Sequence, residues 1–308
     1  PYAEGAIWDS TKAEWWSAGL QFTRPFGARH RLIAGADYAY KSQMYLGTGL
    51  AGAIPDLDEE RRGHNWAAYA QDEFHIGKHV IVNAGVRHDR YETFGGTTNP
   101  RLGVIVIPDR KSALKLLYGS AFRAPNAYEL YYNDGGRTQK ASSGLRPESI
   151  RTVEVSYDRR FLGDLTGTVA LYRYRVDDLI SLTSDSADGL LVYRNIDRVR
   201  ANGIELELAG PLGRGIDFRT SYSYQRTEDG AGDLLTNSPQ HIGQFDCSAP
   251  LGNGLFRLGI EARAVSARST PKGGNVPGFA TANVILSTPL GIGNSRVTLG
   301  IYNVLDRV

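Results

Sequence analysis

Apolar and polar residues alternate with a period of two along most of this 308-residue chain, as they do in strands with one greasy and one wet face. From Val80 onward, Val80, Val82, Ala84 and Val86 fall on one side and Asn83, Gly85, Arg87 and Asp89 on the other. Ile204, Leu206 and Leu208 alternate with Glu205 and Glu207. Phe256, Leu258, Ile260 and Ala262 oppose Arg257, Glu261 and Arg263, and Val153, Val155 and Tyr157 oppose Glu154 and Ser156. No window carries an apolar stripe at helical spacing over three turns. The pattern predicts an all-β chain.

About fourteen strands are expected, roughly at 12–22, 30–41, 64–75, 79–92, 99–107, 112–122, 148–161, 166–181, 190–208, 215–228, 238–249, 255–267, 278–289 and 295–307. Their connections alternate in length. Short turns fall at 25–29, 76–78, 108–111, 162–164, 210–215, 250–254 and 290–294. Longer polar connections fall near 42–63, 93–98, 123–147, 182–189, 229–237 and 268–277. Short turn, long loop, short turn is the order of an antiparallel transmembrane barrel, with tight turns on the periplasmic side and loops outside. Val82, Val86, Val153, Val155, Ile204, Leu206, Leu258 and Ile260 are then expected to face outward. Arg87, Asp89, Glu154, Glu205, Glu207 and Glu261 are expected to face a hydrated lumen. A soluble β-sandwich is the competing arrangement.

Composition sharpens this picture in a few places. Net charge is +2, from 35 basic against 33 acidic residues, which gives no electrostatic footprint for nucleic acid. Mean hydropathy is −0.32 and no run of about 18 apolar residues exists, which excludes a membrane helix but not a barrel. The single cysteine, Cys247, can form no internal disulfide. Tyr (17) and Gly (36) are abundant, and Lys supplies only seven of the 35 basic residues. Arginine suits ion pairs in a hydrated lumen because its planar fork holds carboxylates bidentately.

Phe122-Arg-Ala-Pro-Asn-Ala-Tyr-Glu-Leu-Tyr131, followed by Leu145-Arg-Pro-Glu148 and Glu154, resembles a run found in TonB-dependent outer-membrane receptors. Tyr69-Ala-Gln-Asp-Glu73, Ala84-Gly-Val-Arg-His-Asp-Arg-Tyr91, Asn99-Pro-Arg101, Asn202-Gly-Ile-Glu-Leu-Glu207, Asn237-Ser-Pro239 and Tyr302-Asn-Val-Leu-Asp306 resemble the same family's strands. The resemblance implies a plug domain followed by a barrel of about 22 strands. No plug-like segment or TonB box is evident here, and the family's closing aromatic strand does not follow Asp306. Residues 1–308 are therefore expected to be a fragment of a single transmembrane β-barrel domain, about 14 of those 22 strands, with its first and last strands unpaired.

Candidate chemistry is sparse. Gly47-Thr-Gly-Leu-Ala-Gly52 fits a dinucleotide fingerprint in letters only, because Ile54-Pro55 and an acidic run stand where a helix should follow. His75 and His79 straddle a Gly-Lys turn and have no cysteine or second histidine pair to complete a metal site. Asp56-Leu-Asp-Glu-Glu60 could hold Ca²⁺ through hard oxygen ligands, yet it lacks EF-hand spacing and Arg61-Arg62 follow at once. His88-Asp89 could suggest hydrolase chemistry at a barrel rim, but neighbours in a strand point to opposite faces. No catalytic residue, resident metal or cofactor is expected. The segment 123–147 is the richest: Tyr131 and Tyr132 offer ring faces and Arg137 and Lys140 offer charge, a set suited to a bulky, partly anionic ligand. Girdle aromatics and solvated charges are the plainer account of the same residues.

The resemblance implies a receptor in the outer membrane of a Gram-negative bacterium that takes up a scarce nutrient. A ferric siderophore is expected ahead of cobalamin, with haem third. Its implied partners are the TonB complex, reached through the absent plug domain, and outer-membrane lipid and lipopolysaccharide, with no nucleic acid. A passive porin-like channel and an outer-membrane barrel enzyme are the alternatives.

Overall fold

In the computed structural model the chain forms one long antiparallel sheet. The structure describes residues 5–142, 144–161, 164–252, 254–290 and 295–307. The expected turns at 162–164 and 290–294 lie outside these residues apart from Asp164 and Leu290, as does Val308. The strands are β1 (Ile7–Phe26), β2 (His30–Leu50), β3 (Leu57–Ile76), β4 (Val80–Tyr91), β5 (Gly95–Asp109) and β6 (Ser112–Arg123). After one helical turn, α1 (Ala127–Tyr131), come β7 (Glu148–Arg160), β8 (Thr166–Ser184), β9 (Leu191–Gly213), β10 (Ile216–Glu228), β11 (His241–Leu251) and β12 (Phe256–Val265). A short hairpin, β13 (Arg268–Ser269) and β14 (Asn275–Val276), precedes β15 (Phe279–Pro289) and β16 (Arg296–Ile301).

Fourteen of these strands pair in chain order, each with its sequence neighbours, and the hairpin stands apart. The sheet does not close: among the described residues β1 pairs only with β2, and β16 only with β15. Among the described residues no helix is long and apolar enough to cross a membrane.

The two faces separate as the alternation requires. Val86, Val153, Val155, Leu206 and Ile260 are 38–46% exposed on one face. The register places Val82, Ile204 and Leu258 on that face as well. The opposite face carries side-chain bonds that leap over a strand. Arg87 of β4 reaches Asp37 of β2 at 2.7 Å, Tyr69 of β3 donates to Gln21 of β1, and Arg257 of β12 meets Asp217 of β10. Side chains two strands apart meet most readily on the hollow side of a curled sheet, so the polar face is the concave one. Arg87, Asp89, Glu154, Glu205, Glu207 and Glu261 lie on it by register.

The strands at one end run further than their alternation suggests. The connection expected over 42–63 shrinks to residues 51–56, because β2 continues to Leu50 and β3 begins at Leu57. The cause is a bulge. Lys41 pairs with Gly63 but Met44 with Arg61, so β2 holds one residue more than β3 over this stretch. A bulge shifts the phase of the alternation by one residue. Below it Gly35, Asp37 and Ala39 face inward; above it Met44, Leu46 and Thr48 do. In β8 two opposite irregularities, between Val176 and Leu179 and between Leu179 and Ile180, cancel, so Ile180 keeps the inward phase of Val176. At the other extreme, the strand expected over 295–307 is reduced to Arg296–Ile301.

Candidate functional site

The β6–β7 connection, residues 124–147, folds over the polar face as a strap. Its root is Arg123, the last residue of β6. The guanidinium holds both oxygens of Glu148, the first residue of β7, at 2.6 and 2.7 Å, and both oxygens of Glu129 in α1 at 2.9 and 3.0 Å. Both carboxylates are only 9% exposed. Glu129 also accepts from the Asn126 N–H while the Asn126 side chain accepts from the Glu129 N–H, a reciprocal capping box that starts the helical turn. Glu148 accepts from the Ile180 N–H at 2.9 Å. The conspicuous Phe-Arg-Ala-Pro and Arg-Pro-Glu runs thus meet in one clamp joining β6, α1, β7 and β8.

Beyond the clamp the strap has its own small core: Leu130, Leu145 and Ile180 are buried together with Tyr131 and Tyr193 packed on them. Asp134 fixes the next turn by accepting from the N–H groups of Arg137, Thr138 and Gln139 and from the Thr138 hydroxyl. Burial acts to raise the Asp134 carboxyl, but these donors outweigh it and hold it at about 2. Gly135, at φ +73°, passes so close to Asp56 that any side chain there would collide with it.

The four side chains expected to bind a ligand all lie on this strap and all have partners within the chain. Tyr131 packs on the core and carries Arg61 over its ring at 3.9 Å. Tyr132 donates to Asp9 of β1 at 3.0 Å and stacks on Tyr128 at 4.3 Å. Burial, with Tyr132 and Tyr193 beside it, pushes the Tyr128 phenol up to about 12, so it stays neutral. Arg137 pairs with Asp56 at 2.5 Å. Lys140 pairs with Asp185 and Asp188, in the connection after β8, at 2.6 and 2.7 Å. The Lys140 ammonium holds the Asp185 carboxyl at about 2, and the two carboxylates raise Lys140 in return. About a third of each cationic side chain remains open to solvent.

Between the strap and the upper inner faces of β1 and β2 lies a cavity of about 630 Å3, lined among others by Trp15, Lys41, Met44, Leu46, Asn126 and Tyr128. Sequence reasoning missed Met44 and Leu46 because both stand beyond the bulge, in what looked like loop. The carboxylates of 56–60 do not converge: Asp56 takes Arg137, Glu59 takes Arg61 and Glu60 takes Gln43. Among the described residues no three His, Cys, Asp or Glu side chains are grouped to hold a metal ion. His79 bonds the Ile107 carbonyl and His75 bonds Glu73, so the two histidines do not meet.

A family profile described as "TonB dependent receptor-like, beta-barrel" matches residues 2–304. The chain belongs to this family. Among curated relatives of the receptor barrel, a vitamin B12 transporter of Vibrio vulnificus is 28% identical over 203 residues, covering 66% of this chain and 31% of the transporter. A ferric-pyoverdine 358 receptor of Pseudomonas putida is 27% identical over 145 residues, 46% of this chain and 16% of the receptor. A ferric enterobactin receptor of Pseudomonas aeruginosa, solved in complex with enterobactin, superposes with TM-score 0.81 at 15% identity over 97% of this chain and 49% of its own. An iron transporter of Neisseria meningitidis gives TM-score 0.75 at 16% identity over 96% of this chain and 51% of its own. At such identities the likeness of the solved structures is one of fold. The barrel chain spans about a third or less of the length of these curated relatives and about half of the solved chains.

Proposed function

We propose that this chain is barrel wall and outer vestibule of a TonB-dependent receptor in the outer membrane of a Gram-negative bacterium, and that the receptor imports a ferric siderophore. The observation that carries the reading is the family match over 2–304 together with a strap folded across the concave polar face. Residues 1–308 act as part of one transmembrane barrel domain, with energy arriving from TonB through a plug domain outside this chain. No bond is made or broken, so the working parts are contacts.

The cavity beside the strap suits a bulky, partly anionic chelate: Trp15 and Tyr128 give broad apolar contact, and Lys41 gives charge. Tyr131, Tyr132, Arg137 and Lys140 stand further along the strap, outside the lining of this cavity, and are the outer contacts assigned to the ligand in this reading. Arg137 and Lys140 can exchange their own carboxylates for those of an incoming ligand, charge for charge, so that neither cation is left without a partner. Cobalamin is the second reading, favoured by the vitamin B12 transporters among the relatives.

Growth of a deletion strain on single ferric chelates under iron limitation, beside growth that depends on scarce cobalamin, separates the readings. Loss of growth on one ferric chelate, restored by the gene, is expected. A defect confined to cobalamin moves the assignment to the second reading, and unaffected growth on both refutes import of either.

A further inference from the structure

The two ends of the sheet carry opposite charge. The connections at the long-loop end, residues 51–56, 92–94, 124–147, 185–190, 229–240 and 266–278, hold eight carboxylates against five Lys or Arg. The short turns at the other end, residues 27–29, 77–79, 110–111, 161–165, 214–215, 252–255 and 290–295, hold five Lys or Arg against one carboxylate, Asp164. The five are Arg29, Lys78, Arg110, Lys111 and Arg214, all exposed. Short turns recur at every second strand, so neighbouring tips stand about 10 Å apart in a row along the rim.

Asp109, the last residue of β5, does not neutralise this row: it closes its own turn by accepting from the Lys111 N–H at 2.7 Å. Arg160, the last residue of β7, donates its N–H to the Lys111 carbonyl at 2.7 Å and adds a sixth exposed cation beside the turn. None of the six has a carboxylate within ion-pair distance among the described residues. At the opposite end Arg137, Lys140 and Arg146 each hold one. A rim of one sign without counter-charge of its own draws in a partner of the other sign.

The short turns face the periplasm once the sheet spans an outer membrane, so the inference rests on the membrane placement proposed above. The turns that carry the five cations are built of Gly, Ala, Arg, Lys and His alone. They lack the apolar, charge-poor centre of an interface between folded proteins. Lipid headgroups at the same border fall to Arg24 and Arg159, which the register sets on the outward face. We propose that the basic row of turn tips binds the carboxylates of the cell-wall peptidoglycan, a glycan meshwork with acidic peptide side chains that lies in the periplasm. Carboxylates repeated along a flexible polymer match cations repeated along a rim, and arginine takes them through its fork.

The test uses the full-length receptor that carries this barrel, held in neutral detergent at low salt and sedimented with purified peptidoglycan sacculi. Arg29→Gln, Lys78→Gln, Arg110→Gln, Lys111→Gln and Arg214→Asn combined should weaken the binding about thirtyfold, each exposed charge pair being worth about a factor of two. Asn at 214 suits the left-handed backbone there, at φ +50°. Sacculi whose carboxylates have been amidated should lose wild-type binding to the same extent, which carries the test if the variant does not fold. Arg268→Gln with Lys272→Gln, in the long connection after β12, should leave binding intact. Equal sedimentation of wild type and the combined variant, or equal binding to native and amidated sacculi, overturns the assignment. Loss of binding to phosphatidylglycerol vesicles in that variant, with sacculi still bound, gives the row to the lipid leaflet and overturns it as well. An epitope inserted beside Lys78 that is labelled on intact cells overturns the membrane placement too. An epitope labelled only after permeabilisation, in a receptor that ignores sacculi, overturns this inference alone.

Discussion

Replacing Arg123 with Met keeps the length and apolar stem of the side chain and removes four charged hydrogen bonds at once. What remains is two nearly buried carboxylates with one strong donor each: the Asn126 N–H for Glu129 and the Ile180 N–H for Glu148. Breaking a buried ion pair from one side costs about 3–5 kcal/mol because the other charge stays behind without compensation. The Arg123 side chain is 43% exposed, which places the cost near the lower end, about 3 kcal/mol. Such a loss falls on the local opening of the strap, since the hydrogen-bonded ladders of β6 and β7 do not depend on Arg123. At about 1.4 kcal/mol per decade, amide hydrogen exchange at Ile180 and Glu129 should accelerate about a hundredfold in Arg123→Met. Amides in the middle of β6 should be unaffected. Arg123→Lys, which keeps the charge and loses the fork, should fall between. Exchange at Ile180 within about threefold of wild type in Arg123→Met would show that the clamp does not hold the strap down.

Three further outcomes are expected. Arg137→Ala with Lys140→Ala should weaken uptake of an anionic ferric chelate while the barrel still shifts its gel mobility on heating; unchanged chelate binding assigns the strap to the protein's own structure alone. Asp134 and Asp185 are held below their ordinary value of 3.8, at about 2, so their contribution to the folded strap is complete above about pH 4 and is lost as pH falls through about 2. Protease cleavage within 133–140 should therefore stay flat from neutral pH down to about 4 and rise only below it, as an acid-stable protease can report. Gly203→Ala places a methyl group against the Tyr172 ring of the adjoining strand; overpacking of this kind costs about 1–3 kcal/mol and should lower the midpoint of denaturant unfolding.

The alternation was legible where one face meets apolar surroundings. Across β4, β9 and β12 each inward or outward residue named from the sequence lies on the expected face. The pattern failed at Ser42, where one inserted residue exchanges the faces, and over 57–63, where Leu57-Asp-Glu-Glu60 looks like the end of a polar loop. These residues open β3, with carboxylates on both of its faces. Beyond the apolar band both faces are wet, so nothing in the physics demands alternation. The strap was legible in composition but not in its bonds. Arg123 and Glu148 stand 25 positions apart, and Lys140 and Asp185 stand 45 apart. No local spacing announces that a cation on offer to a ligand already has a carboxylate of its own.

The strap is also a chord. Arg137 is tied to the connection before β3 and Lys140 to the one after β8, and three residues of chain reach at most about 10 Å. Around the sheet the same two points are separated by every strand from β3 to β8. A bowstring fastened at both ends braces its bow: Arg137 closes on Asp56 at one end, and at the other the Lys140 pair is joined by two backbone bonds between the strap and Leu191. The hollow of the wall is thus spanned by its own chain, and cutting the Arg137 pair should loosen the rim on the β3 side while the staves below keep their register.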